Sequence, residues 1–213
     1  RPMSRPLVIT DCDEVLLHMV AHFRDWLDEA HDIELNLAGR TFNNAMRRRG
    51  SEAPLKQDEI WALLEGFFDA EMHRQTPIPG AVDAVTILAQ QADVVVLTNL
   101  SDHRRDDRVR QLAHHGIEAR VFTNLGPKGP AIRGIIEEYR PSRAFFIDDL
   151  AQHHESAAGE VPEITRLHLV GEPSIAQFIP CALEQGHAHA RIDSWEEALP
   201  WLREKLHETD DEH

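Results

Sequence analysis

The chain has 213 residues, 42% of them hydrophobic, enough for one domain of ordinary size or a core domain with a modest insertion. Its formal charge of −15, from 22 basic against 37 acidic residues, leaves no basic footprint for nucleic acid or an anionic membrane surface. Cys12 and Cys181 make neither a disulfide framework nor a zinc pattern, no apolar stretch approaches the roughly 20 residues of a membrane helix, and the start lacks the apolar core of a secretion signal, so a cytoplasmic protein is expected.

A first strand is expected over about 6–12, where Leu7-Val8-Ile9-Thr10 runs into Asp11-Cys12-Asp13. No comparable apolar run follows until about residue 94. In between, Val20, Phe23, Trp26, Leu27 and Ala30 repeat at helical spacing. A second helix is expected over about 36–49, closed by Gly50. A third, over about 56–73, carries Ile60, Leu63, Leu64, Phe67, Phe68 and Met72. Thr76-Pro77-Ile78-Pro79-Gly80 then breaks the chain. This block of three or so helices reads as an insertion between the first two strands of a core.

Past the break the pattern alternates. Val82, Val85, Ile87 and Leu88 mark a helix, and 93–98 a strand. A helix over 104–115 is closed by Gly116, and 119–122 is a short strand. A helix over 131–139 is ended by Pro141, strand 144–148 follows, then a helix over about 151–158. Residues 166–170 make another strand, and 190–192 a last short one before a helix capped by Asp193 or Ser194, with Glu196 and Glu197 in its first turn. Such alternation predicts an α/β fold with a parallel sheet and right-handed crossovers. The polar tail, 208–213, is expected to fray.

Three of the apolar runs end in polar signals: Asp11-Cys12-Asp13, Thr98-Asn99 and Asp148-Asp149. Lys128 lies between the last two, in Gly-Pro-Lys-Gly-Pro. Carboxyl ends of parallel strands are where open α/β sheets do chemistry. Asp11 and Asp13 stand at i and i+2, on one side of an extended chain. At about 4 Å and an effective dielectric near 20, one such like-charge pair costs roughly 4 kcal/mol. A bound Mg²⁺ removes that cost, and carboxylate, carbonyl and water oxygens are its preferred ligands. Each signal also has an ordinary reading taken alone: an N-cap for either Asp pair, a satisfied turn for Thr98-Asn99, a solvated side chain for Lys128.

Order and spacing together resemble the four motifs of the haloacid dehalogenase (HAD) superfamily: Asp-x-Asp-x-Val-Leu after strand one, Thr-Asn after strand two, a downstream lysine, then Asp-Asp. The likeness runs from Leu7 to about Val170 and includes the Pro79-Gly80 helix entry. It implies a Rossmann-like core of residues 1–16 and 79–213, a parallel sheet flanked by helices, with a small helical cap over 17–78. It also implies that Asp11 is the nucleophile that becomes an aspartyl-phosphate, and that Asp13 is the general acid/base, its backbone carbonyl touching the metal. Thr98, Asn99 and Lys128 match the groups that bind and neutralise phosphoryl oxygens. Asp148 matches a direct metal ligand and Asp149 one that acts through a water. The cofactor implied is Mg²⁺, and the partner a small phosphorylated substrate, with no nucleic acid or membrane. Nothing in the chain speaks to oligomeric state.

One position departs from the pattern. Many relatives carry glycine after the second aspartate, where this chain has Glu14. A glutamate there adds negative charge beside an anion-binding site and removes backbone freedom; the blander reading is a side chain that points to solvent. Cys12, alternating with the two aspartates, is expected to pack into the core. Arg47-Arg48-Arg49 reads as an anion clamp in the cap or as an ordinary exposed helix end. Arg104, Arg105, Arg108 and Arg110, interleaved with acids, read as a solvated, salt-bridged helix face. The histidine pairs His114-His115 and His153-His154 fit no metal-ligand pattern. A Mg²⁺-dependent phosphatase is the leading expectation. Phosphomutase, 2-haloacid dehalogenase and a catalytically weak HAD-fold binding module are the alternatives.

Overall fold

The computed structural model describes residues 4–208; the end of the tail expected to fray lies outside them. In chain order the elements are β1 (Leu7–Thr10), α1 (Val20–His31), β2 (Ile33–Leu35), β3 (Met46–Arg48), α2 (Gln57–Ala70), α3 (Ala81–Ala89), β4 (Asp93–Thr98), α4 (Arg105–His114), β5 (Arg120–Thr123), α5 (Gly129–Tyr139), β6 (Ala144–Asp148), α6 (Ala151–Glu160), β7 (Thr165–His168), α7 (Pro173–Ala176), β8 (Ala190–Arg191) and α8 (Trp195–His207).

Six strands form one parallel sheet in the order β5-β4-β1-β6-β7-β8. The apolar runs become strands because both faces of the sheet are covered. Val8, Val96, Phe145 and Ile147 point to one face, against Ala81, Ala84, Val85 and Leu88 of α3 and Trp195, Ala198 and Leu202 of α8. Leu7, Ile9, Val95, Leu97 and Phe146 point to the other, against Ile132 and Ile135 of α5 and Ala157 of α6. β1 lies between β4 and β6, with Thr10 level with Val96 on one side and Ile147 on the other. The strand order reverses here, so the carboxyl ends of these three strands border one crevice.

The segment between β1 and β4 has a core of its own. Val20, Phe23 and Leu27 of α1 pack on Ile60, Phe67 and Phe68 of α2, and Leu100, Val170 and Ile175 join this cluster to the rest of the chain. It is not the expected block of three helices. Residues 36–49, read as a helix, form most of an antiparallel β2–β3 hairpin in which Leu35 pairs with Met46. Local chemistry decides this. The Asn36 side chain accepts the Ala38 amide, Gly39 takes a left-handed φ of 67°, and a short 3₁₀ turn occupies Phe42–Asn44. Ile33, Leu35 and Met46 are buried, the period-2 pattern of a half-covered strand.

The Arg47-Arg48-Arg49 run therefore sits on a hairpin, and its partners are local. Arg47 donates to the carbonyls of Glu52 and Asn44, Arg48 pairs with Glu59, and Arg49 with Asp28. All three side chains are thus engaged by neighbours within the inserted segment. At the far end, Ser194 caps α8 by accepting the Glu197 amide, and Asp193 instead takes the Val170 amide and Arg191.

Candidate active site

β1 ends at Thr10, and the ladder carries one bond further, from the Asp11 amide to the Ile147 carbonyl at 2.8 Å. This seats Asp11 beside Asp148, the last residue of β6. The carboxylates of Asp11, Asp148 and Asp149 each offer an oxygen within 4.8 Å of the others, all buried. Asp13 contributes no carboxylate to this cluster.

Lys128 is the cation of the site. Its Nζ lies 3.0 Å from Asp11 Oδ1 and 2.6 Å from Asp148 Oδ2. The solvated reading of this lysine fails, since it is 1% exposed. The following residue explains why. Gly129 starts α5 pressed on α6: a Cβ there would stand 2.5 Å from the Ser156 carbonyl, and the Gly129 amide donates to Ser156 Oγ at 2.9 Å. That close contact turns Lys128 inward. Burial opposes its charge, but Asp11 and Asp148 outweigh burial and hold the ammonium above its ordinary pKa.

The negative side of the site is crowded. The Asp149 carboxyl lies well above the usual carboxylate range, first through burial and then through Asp11 and Asp148. Asp11 Oδ1 also accepts the Cys12 amide at 2.8 Å, and Asp148 Oδ1 the Leu150 amide at 2.9 Å. Three converging carboxylates, one driven towards its neutral form, are the donor set that suits a hard divalent cation. Thr98 ends β4, next to β1. Its Oγ1 is buried with no hydrogen-bond partner among the described residues, a free donor at the mouth of the crevice. Asn99 is exposed, and its side chain is spent on the neighbouring loop, donating to the Gly126 carbonyl and accepting from Asn124, both at 3.0 Å.

Two histidines that no spacing rule identified support the acidic loop. His168 Nδ1 accepts the Ala182 amide at 3.0 Å, so its Nε2 carries the proton and donates to the Asp149 carbonyl at 2.6 Å. His154 Nε2 lies 3.0 Å from the Asp148 carbonyl. Burial lowers both pKa values, that of His154 to about 3, and keeps the rings neutral.

Glu14 does not turn to solvent. It is buried and takes a left-handed φ of 68°, a conformation that costs a non-glycine residue about 1–2 kcal/mol. Its Oε1 accepts the Met19 amide at 2.5 Å and the Val20 amide at 3.3 Å, where α1 begins. That carboxyl oxygen therefore serves as a remote cap for the helix. Its second oxygen has no partner among the described residues. Burial, the largest cause, pushes the Glu14 carboxyl up to about 8; the two amides oppose this, and Asp13 and Glu172 add to it.

A carboxyl raised from an ordinary 4.5 to about 8 binds its proton more tightly folded than unfolded. Its contribution to stability is complete below the unfolded pKa and is lost as pH rises through the folded one. Glu14→Gln keeps an acceptor for the α1 amides and removes the titration. In EDTA the melting temperature of the wild type is expected to fall between about pH 5 and pH 8 more steeply than that of Glu14→Gln. Parallel profiles would refute this.

Cys12 is fully buried in the core, as alternation requires, and burial pushes its thiol up. The arginine face is not solvated throughout. Arg105 and Arg110 are exposed, but Arg104 and Arg108, one turn apart, are buried against the inserted segment. Arg104 pairs with Glu65 and Asp69 of α2. Arg108 Nη2 meets Asp13 Oδ2 at 2.8 Å, and Gln75 Nε2 meets Asp13 Oδ1 at 2.8 Å.

No family model and no curated protein matches the sequence. Solved structures do match the fold. A haloacid dehalogenase-like hydrolase of Streptococcus pneumoniae aligns with a TM-score of 0.63 at 14% identity, covering 94% of this chain and 98% of its own. A protein of Haemophilus somnus described as a predicted phosphoglycolate phosphatase aligns at 0.61 and 14% identity, covering 92% and 97%. A HAD hydrolase of Bacillus subtilis, solved bound to magnesium, aligns at 0.57 and 16% identity, covering 94% and 99%.

Proposed function

We propose that this chain, which has the haloacid dehalogenase-like fold, is a Mg²⁺-dependent phosphatase of small phosphorylated metabolites. The observation that carries the reading is the convergence of Asp11, Lys128, Asp148 and Asp149 at the carboxyl end of β1 and β6. The names of the similar structures, a phosphoglycolate phosphatase and a magnesium-bound hydrolase among them, support it. Asp11, Asp148 and Asp149 would hold the ion, with the Asp13 carbonyl. An ion bound there would offset the charge of the carboxylates and supply Lewis-acid stabilisation of the phosphoryl oxygens.

This chain's residues do the rest. Asp11 attacks phosphorus; the Asp11–phosphorus bond forms as the bond to the leaving oxygen breaks, and Asp13 gives that oxygen its proton. Asp13 then takes a proton from the water that attacks the aspartyl-phosphate, which frees Asp11 and releases inorganic phosphate. Lys128 holds the transferring oxygens against the nucleophile, and the Thr98 hydroxyl donates to one of them. The test is hydrolysis of p-nitrophenyl phosphate with Mg²⁺ and in EDTA, beside chloride release from a 2-haloacid. Metal-dependent phosphate release supports the proposal, and chloride release without phosphate release would overturn it. Silence in both assays favours the second reading, a catalytically weak binding module, for which Glu14, buried beside Asp13 where many relatives carry glycine, speaks.

His168 gives a check independent of turnover. Residues that orient metal ligands are typically worth about 10–100-fold in affinity. His168→Leu is expected to weaken Mg²⁺ binding by about that factor, read by titration calorimetry with Mg²⁺ alone. Unchanged affinity would remove His168 from the site.

A further inference from the structure

Arg108 is fully buried, and it joins four parts of the chain. Nη2 donates to Asp13 Oδ2 at 2.8 Å. Nη1 donates to Gln111 Oε1 at 2.8 Å, and reaches Gln75 Oε1 at 3.3 Å. The guanidinium carbon stands 5.8 Å from the centre of the Phe68 ring, on α2 of the inserted segment. Gln75 in turn donates to Asp13 Oδ1 at 2.8 Å and to the His18 carbonyl at 3.2 Å. Gln111 donates to the Met72 carbonyl at 2.8 Å. His18 lies on the passage from the core into the inserted segment, and Met72 and Gln75 on the passage back. Both oxygens of Asp13 are thus held by groups that also hold these two passages.

A buried guanidinium is costly unless geometry repays it, and a plain structural tie between two helices needs no charge. Here the charge is aimed at one carboxylate, and both partners of that carboxylate are fully buried. We propose that Arg108, with Gln75, is a positioning device for Asp13, which couples the placement of the inserted segment to the group that handles the leaving-group proton. The inference rests on the phosphatase reading above. Arg108 touches neither nucleophile nor phosphoryl group; it acts through Asp13.

The test uses two substrates that differ in leaving group. Phenolate leaves phenyl phosphate as a strong base and needs its proton, whereas nitrophenolate leaves readily without one. With Mg²⁺, Arg108→Met is expected to lower kcat/KM for phenyl phosphate by on the order of 10²-fold, and for p-nitrophenyl phosphate far less. Arg108→Lys is expected to recover part of the loss. Gln75→Leu, which keeps the buried charge and removes one donor, is expected to show the same selectivity at smaller size. It decides the matter should Arg108→Met fail to fold. Loss by equal factors for the two substrates, or no loss, in variants that melt like the wild type would overturn the proposal. A wild type inert towards both substrates would instead bring down the phosphatase reading, and this inference with it.

Discussion

Asp11→Asn is expected to abolish phosphate release, by on the order of 10⁴-fold or more, without unfolding the protein. The amide is nearly isosteric and still accepts the Cys12 N–H that Asp11 Oδ1 accepts at 2.8 Å. On the proposed mechanism it has lost the charge that would attack phosphorus. The stability expectation follows from the crowding around it. Asp11 is one of the charges that drive the buried Asp149 carboxyl upward. Removing it relieves that repulsion, and Lys128 keeps its shorter contact, 2.6 Å to Asp148. In EDTA the melting temperature of Asp11→Asn should therefore be no lower than that of the wild type. Turnover within tenfold of the wild type would take the nucleophile's role from Asp11.

Lys128→Met should do the reverse and cost both activity and stability. Lys128 is 1% exposed and stands between Asp11 and Asp148. Methionine fills much of its volume and leaves the carboxylates buried without their cation. Breaking a buried ion pair from one side costs about 3–5 kcal/mol. Urea denaturation in EDTA is expected to show a loss of about that size. A ligand that binds only the folded state stabilises it, so Mg²⁺ should restore part of the loss and help the variant more than the wild type. The loss should also shrink in an Asp148→Asn background, because the two residues share one interaction. A stability change below about 1 kcal/mol would mean that the lysine is solvated in solution.

Much of the core was legible because its strands are covered on both faces. The two strands expected over 93–98 and 144–148, built on the apolar runs 94–97 and 144–147, coincide with β4 and β6. The residues at their ends meet because β1, β4 and β6 are neighbours in register, which the order of the motifs anticipates. The inserted segment was harder. Its helix α1 shows a helical period, but residues 36–49 mix Asn, Gly and Thr with scattered apolar residues, and side-chain to backbone bonds there beat helix formation.

Charged residues misled wherever tertiary packing decides. Arg108 sits in a run of arginines and acids that is periodic enough for a solvated face. Only the arrival of Phe68 and Gln75 buries one turn of it. Glu14 was visible as a departure from glycine, but its burial depends on where α1 starts. His154 and His168 act on backbone carbonyls, and that role leaves no mark in spacing. Lys128 became legible through motif order and not through its own neighbourhood, which is a loop of glycine and proline.

The central claim is that the Asp11 carboxylate becomes the acyl phosphate. An acid quench during turnover of p-nitrophenyl phosphate with Mg²⁺, followed by borohydride reduction and peptide mapping, addresses it directly. Reduction of an aspartyl-phosphate leaves homoserine, and the prediction is homoserine at position 11 and nowhere else. Steady phosphate release with every aspartate recovered intact, or homoserine at another position, would contradict the account.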